Sequence, residues 1–260
     1  MKKGLIYYCV GGDPDYFQLT MESLKSLRAS TWSFDVLVLC DVRYREALRA
    51  SDTLPCEDAN GRPVLFCVTP DNPDVVAASM RKIEIFSLLG DTPHTYDAAL
   101  YLDSDILATQ PLDAAFDAVA HNRYVLHTAP EHAPEPHLPH YFTNTPRLPI
   151  QSPTAAPFNA GTFGFVPSRQ MKAHFDAIVE DVRAWEGPYF WEQSFMNDHF
   201  LRRHPEAAKP TFAAPRVHIP NHGGLLAALD PHDTWFVHFA NAQIPWRTKL
   251  AGMKAWCSEQ

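Results

Sequence analysis

The chain has 260 residues, 46% of them apolar, and a formal charge of -8. That length and composition bury a full core unaided, which excludes wholesale disorder and a small stapled scaffold. The acidic balance argues against nucleic-acid partners, which need a basic face, but leaves a nucleotide ligand open because a bound divalent cation can bring the positive charge.

Residues 1–10 carry two lysines before a short apolar run and lack a cleavage pattern, so they read as a first strand and not a signal peptide. Gly11-Gly12-Asp13-Pro14 closes that strand as a turn. Phe17, Met21, Leu24 and Leu27 recur at helical spacing, and residues 34–39 form a second apolar run. This is the start of a βαβ pattern with parallel strands. Residues 64–68 read as a third strand. Val76, Met80, Ile83 and Phe86 predict one amphipathic helix. Residues 98–102 predict a buried strand, Leu112, Phe116 and Val119 a short helix, and residues 123–127 another strand. Residues 128–157 hold many prolines together with His132, His137 and His140. Proline suits neither helices nor central strands, so this stretch reads as a long ordered loop over one face of the sheet. Its histidines have no tight metal-ligand spacing and read as solvated. Residues 161–166 predict a strand, and Met171, Phe175, Ile178, Val182 and Trp185 form the clearest helical stripe. A helix over 190–201 and strands over 216–219 and 235–239 follow, and the tail after Pro245 is too short for a domain.

Strands alternating with helices predict an α/β fold with a mostly parallel sheet, one domain over residues 1–260 and a small appended lobe. No internal repeat and no run long enough to span a bilayer is present. The five cysteines, Cys9, Cys40, Cys56, Cys67 and Cys257, are odd in number and form no CxxC pair, which suits a reduced, cytoplasmic chain. Work at a membrane would then be peripheral, at its inner face.

The chemistry concentrates in a few short segments. Asp103-Ser104-Asp105 follows a buried strand directly. Two carboxylates so close repel unless a cation joins them, and such oxygens suit Mg²⁺ or Mn²⁺; a pair of turn aspartates is the plainer alternative. Pro157-Phe158-Asn159-Ala160-Gly161 precedes a strand, where small residues admit a sugar or simply make a turn. Trp191-Glu192-Gln193 opens a helix, where a first-turn acid is favoured electrostatically whether or not it also acts on substrate. His238 lies in an apolar strand, as a ligand or as a satisfied core histidine.

Taken in order, the opening strand and turn, LDSD, FNAG, WEQ and VHFANAQIPW resemble glycosyltransferase family 8 and its relatives of the GT-A fold, among them glycogenin and bacterial lipo-oligosaccharide galactosyltransferases. The resemblance runs from Leu5 to Trp246. It implies a Rossmann-like nucleotide-binding sheet with a small acceptor-side lobe, Mn²⁺ (or Mg²⁺) as cofactor, and a nucleotide-diphosphate-sugar donor, in that family a UDP-sugar. It implies that Asp103, Asp105 and His238 hold the metal, with Asp103 also touching the donor. Donor contacts then fall to Tyr8, Cys9, Val10 and Gly11 in the first-strand loop, with Asp13 beside them, and to Lys82 (next to Arg81), Ser104, Asn159, Ala160, Gly161 and Asn241. Glu192 and Gln193 match the acid-Gln pair beside the anomeric carbon and are the catalytic candidates.

Two positions depart from the family. Asn241 stands where it has Gly, and Ile244 where it has a diphosphate-contacting Lys; Arg247 or Lys249 is left to supply that charge. The segment between Lys82 and Asp103, including residues 90–95, is also longer than usual. The expected reaction is sugar transfer to a glycan or lipid-linked glycan, as in polysaccharide biosynthesis. The resemblance implies retention of configuration, whereas Glu192 acting as a general base would give inversion. A phosphatase of the haloacid dehalogenase type also uses an Asp-x-Asp, but near its N-terminus and with a later acidic pair. A sugar nucleotidyltransferase wants a basic glycine-rich loop that the first turn lacks. A non-catalytic nucleotide-sugar-binding module remains the third alternative.

Overall fold

The computed structural model describes residues 2–11, 15–27, 30–44, 64–68, 75–122, 125–128, 159–186, 192–209, 217–218, 233–239 and 245–259. Their strands are β1 (Lys3–Val10), β2 (Ser33–Cys40), β3 (Val64–Val68), β4 (Ala98–Leu102), β5 (Ile106–Ala108), β6 (Val125–Thr128), β7 (Asn159–Phe165), β8 (Ala208–Lys209), β9 (Val217–His218) and β10 (Phe236–His238). Their α-helices are α1 (Asp15–Ser26), α2 (Val75–Met80), α3 (Ile85–Leu89), α4 (Asp113–Ala120), α5 (Arg169–Arg183), α6 (Glu192–Asn197) and α7 (Trp246–Glu259).

A seven-stranded sheet runs in the order β3-β2-β1-β4-β7-β6-β8. The β3-β2-β1-β4 half is parallel throughout, whereas β7 lies antiparallel to both β4 and β6. The chain steps outward from β1 to β3 and then returns to β4 on the other side of β1. That reversal opens a crevice at the carboxyl ends of β1 and β4, where ligands of open α/β sheets bind. A second, three-stranded sheet β5-β10-β9 stands beside it. The mixed α/β architecture with a mostly parallel sheet agrees with the sequence expectation.

Strand alternation decides which side chains reach the crevice. Ile6, Tyr8 and Val10 turn to the face covered by α1 and α4. Leu5, Tyr7 and Cys9 turn to the opposite face, beneath α3, α5 and α6. That second face is an aromatic layer. Tyr101 stacks on Phe163 with ring centroids 5.0 Å apart, and Phe165 meets Phe175 edge-on at 4.9 Å. Truncating one such buried ring costs about 3–5 kcal/mol. The predicted stripe on α5 supplies Phe175, and Ser168 caps that helix by accepting a bond from the Met171 amide. A third cluster joins Leu19 of α1 to Leu250, Met253 and Trp256 of α7. The tail after Pro245 is thus a 14-residue helix packed on α1.

Two helices differ from expectation. The stripe Val76–Phe86 is broken: α2 ends at Met80, α3 begins at Ile85, and the turn between them tightens to i→i−3 bonds, such as Lys82 N to Ser79 O. Lys82 and Ile83, both buried, lie in this tightened turn. The helix expected over 190–201 starts at Glu192 and widens into a π-helical segment at Asp198–Arg203. The short strand β5 has no signal in sequence. Most of the 128–157 loop, with His132, His137 and His140, and also Asp13, Asn241 and Ile244, lie outside the described residues. No disulfide joins the described cysteines, Cys9, Cys40, Cys67 and Cys257. No helix among the described residues is long and apolar enough to cross a membrane.

Gly164 lies where α4 presses on the sheet: a Cβ there would fall 2.4 Å from Val119 Cγ2 and 2.8 Å from Leu100 Cδ2. Gly164→Ala therefore overpacks this contact and lowers unfolding free energy by about 1–3 kcal/mol in a denaturant titration.

Candidate active site

The crevice is lined from β4 and the turn after it. Asp103 and Asp105 flank Ser104, and the intervening residue faces the other way. The Ser104 hydroxyl accepts a bond from Thr20 Oγ1 at 2.8 Å, anchoring the turn to α1. The antiparallel pairing of β10 with β5 brings in His238, and the Phe239 amide donates to Asp105 O at 2.9 Å. His238 Nε2 lies 3.3 Å from Asp105 Oδ1 and 4.0 Å from Asp103 Oδ2. Asp105 and His238 are buried, whereas the Asp103 side chain is 33% exposed and forms the accessible edge of the group. Asp103, Asp105 and His238 each offer one ligand atom, all within 4.8 Å of one another.

Gly161 makes this approach possible. A Cβ there would fall 2.3 Å from His238 Cε1 and 2.8 Å from Asp103 Oδ2. Its carbonyl accepts from the Asp103 amide at 2.8 Å, and its own amide donates to Asn159 Oδ1 at 2.7 Å. The Ala160 amide donates to Gln193 Oε1 at 3.0 Å, which ties α6 to β7. Asn159–Gly161 and Glu192–Gln193 thus meet beside Asp103 and His238.

Lys82 stands at the centre. Its ammonium lies 2.7 Å from Glu192 Oε1 and 3.2 Å from Asp103 Oδ1, donates to Ala160 O at 3.3 Å, and sits 4.6 Å above the Tyr101 ring. Burial alone would push its pKa down, but Asp103 and Glu192 outweigh burial and raise it above the usual lysine range. The Tyr101 hydroxyl donates to Asp103 Oδ1 at 2.5 Å. Asp105 carries a second buried cation, with Lys249 Nζ 2.5 Å from Oδ2. Burial would raise the Asp105 pKa, yet His238 and Lys249 hold it well below the ordinary carboxylate value. Of the two residues left to replace the lysine absent at Ile244, Lys249 is buried against this group, whereas Arg247 is exposed beside Trp246.

Four donor-contact expectations need correction or narrowing. Tyr8 points away from the crevice: its ring is buried and its hydroxyl bonds Ser23 Oγ at 3.0 Å. Val10 and the Ser104 hydroxyl also turn toward α1. Only their backbones remain for a ligand, because strand alternation sends every second side chain to the far face. Cys9 does face the Lys82 cluster, but burial, with Asp103 and Glu192 adding to it against Lys82 and Arg81, pushes its thiol pKa well up. It is neutral at physiological pH. Gly11 follows β1 directly and is buried. Tyr101, which the sequence reading treated only as a strand residue, holds Asp103; the period of two that puts residues 101 and 103 on one face was the available signal.

No protein-family model and no curated protein matches the chain. Solved structures do. The galactosyltransferase LgtC in complex with donor and acceptor sugar analogs matches with a TM-score of 0.61 at 14% identity, over 98% of this chain and 94% of that one. An active-site mutant of LgtC matches with a TM-score of 0.59 at 14% identity, over 99% of this chain and all of that one. At this identity the likeness is one of fold, and the chain has the GT-A glycosyltransferase fold.

Lys82 and Glu192 side chains are each only 4% exposed. Lys82→Met strands a buried carboxylate and lowers stability by about 3–5 kcal/mol. Combining it with Glu192→Gln recovers part of that loss in the same unfolding assay, because the orphaned charge is gone.

Proposed function

We propose that the chain is a metal-dependent glycosyltransferase that moves a sugar from a nucleotide-diphosphate-sugar, a UDP-sugar on this reading, to a hydroxyl of a glycan or lipid-linked glycan. The observation that carries the proposal is the convergence of Asp103, Asp105 and His238 at the carboxyl end of β4 in a GT-A fold.

The donor set fits a divalent cation. Two carboxylates suit Mg²⁺ or Mn²⁺, and the imidazole tilts the choice toward Mn²⁺. The space beside Gly161 is closed to any side chain, and Lys249 already neutralises Asp105 from its other oxygen. When bound, the cation would offset the diphosphate charge and stabilise the leaving nucleotide.

The chain's own residues do the positioning. Asp103, the exposed member, faces the donor while Tyr101 and Lys82 fix its rotamer. Gln193 holds the Ala160 amide, and with it the Asn159–Gly161 backbone that lies along the crevice. Glu192 pairs with Lys82 deep in the site. A carboxylate so paired is a weak general base, which supports retention over inversion. The same pairing argues against the phosphatase reading, because an Asp103 nucleophile would carry two donors, Tyr101 and Lys82, on one oxygen.

Release of nucleoside diphosphate from UDP-sugars with Mn²⁺ tests the reading. Asp105→Asn should lower turnover by about 10²–10³-fold, the range for losing one preorganised charge contact. Turnover unchanged in this variant would contradict the metal assignment. Metal-dependent donor binding without any turnover, with or without acceptors, would favour a binding module.

A further inference from the structure

A second cluster of ligating side chains lies outside the crevice. His174 of α5, His199 of the π-helical segment Asp198–Arg203 and His204 at its end bring one ligand atom each to within 4.8 Å of one another. His174 Nδ1 lies 2.9 Å from His199 Nε2. The ring centroids are 4.6 Å apart for His199 and His204, and 5.1 Å apart for His174 and His204.

The backbone is shaped to make this group. Residues five apart in an α-helix stand about 140° apart around the axis, at about 100° per residue. The π segment ends with the His204 amide donating to His199 O at 2.9 Å, an i→i+5 bond that turns the two rings to one side. Such π segments are rare and concentrate at functional positions. Glu206 Oε1 lies 3.3 Å from His204 Nδ1 and orients that ring, leaving Nε2 for the cluster. Imidazoles that bind metal are typically held in this way by a carboxylate on the other nitrogen. Without an ion the arrangement is poorly satisfied. The facing nitrogens His174 Nδ1 and His199 Nε2 share one proton, which an ion between them would replace.

We infer that His174, His199 and His204 form a transition-metal site of the three-imidazole type, suited to Zn²⁺ or Co²⁺ with one position left for water. Tetrahedral ligation at about 2.0–2.1 Å separates ligand nitrogens by about 3.3 Å, close to the observed spacing of the first pair. The set contains no oxygen ligand, so it binds Mg²⁺ and Mn²⁺ more weakly than Zn²⁺ or Co²⁺. The Arg203 guanidinium, which faces His199, is paired with Asp181. The ion would join α5 to the helical segment that begins with Glu192, and so brace the crevice from behind.

The experiment is a Co²⁺ titration of the full chain in excess Mg²⁺, followed by the visible absorption of four-coordinate cobalt, with wild type, His204→Ala, and His238→Ala. His204 is partly exposed, so its variant is expected to fold, and far-UV circular dichroism checks that. Wild type and His238→Ala should each bind one equivalent with a four-coordinate spectrum. His204→Ala should lose the spectrum or bind at least about tenfold more weakly. His174→Gln, read the same way, is the second variant should His204→Ala not fold. Absence of the spectrum in wild type, or its survival unchanged in a folded variant at His204 or His174, would overturn the inference, as would its loss in His238→Ala alone.

Discussion

A buried ammonium must be surrounded by opposite charge, and the placement of Lys82 organises much of the crevice. Its partners come from β4 through Asp103, from β7 through the Ala160 carbonyl, and from α6 through Glu192. Taking one such charge out of water without partners costs several kcal/mol, so these elements cannot drift apart independently. The tightened turn between α2 and α3 carries Lys82 into this position. The aromatic layer of Tyr7, Tyr101 and Phe163 then supplies the low-dielectric floor that strengthens each of these ion contacts.

Above that floor the crevice is arranged as alternating charge. Asp105 lies between His238 and Lys249, and Asp103 between His238, Tyr101 and Lys82. The cations on the outer sides, Lys82 and Lys249, offset the repulsion between the two neighbouring carboxylates. A divalent ion added between them meets ligands already oriented, so little reorganisation accompanies binding. The imidazole cluster on the far side of α6 has the opposite chemistry, nitrogen without oxygen, and the two groups would sort hard and borderline cations between them.

Much of this was legible in the sequence. The apolar run at residues 98–102 ending in Asp103-Ser104-Asp105 identified both the strand and the carboxylates, and the stripe on Met171, Phe175 and Ile178 identified α5. Strand alternation, applied to residues 7–10, would also have separated Cys9 from Tyr8 and Val10, which the motif resemblance grouped together. Other features depend on tertiary contacts that no local pattern encodes. The pairing of Lys249 with Asp105 spans 144 positions and is fixed by the packing of α7 on α1. The π segment at Asp198–Arg203 has an ordinary helical sequence, and its widening appears only where His204 reaches back to His199.

The central claim is that the crevice binds a nucleotide-diphosphate-sugar through a metal held by Asp103, Asp105 and His238. A thermal-shift panel of UDP- and GDP-sugars, with and without Mn²⁺, tests it most directly, because a ligand bound to the native state raises the melting temperature by mass action. The account predicts that one nucleotide sugar stabilises the protein only when Mn²⁺ is present. Stabilisation by no nucleotide sugar under any metal would contradict it and direct attention to hydrolysis of phosphate monoesters.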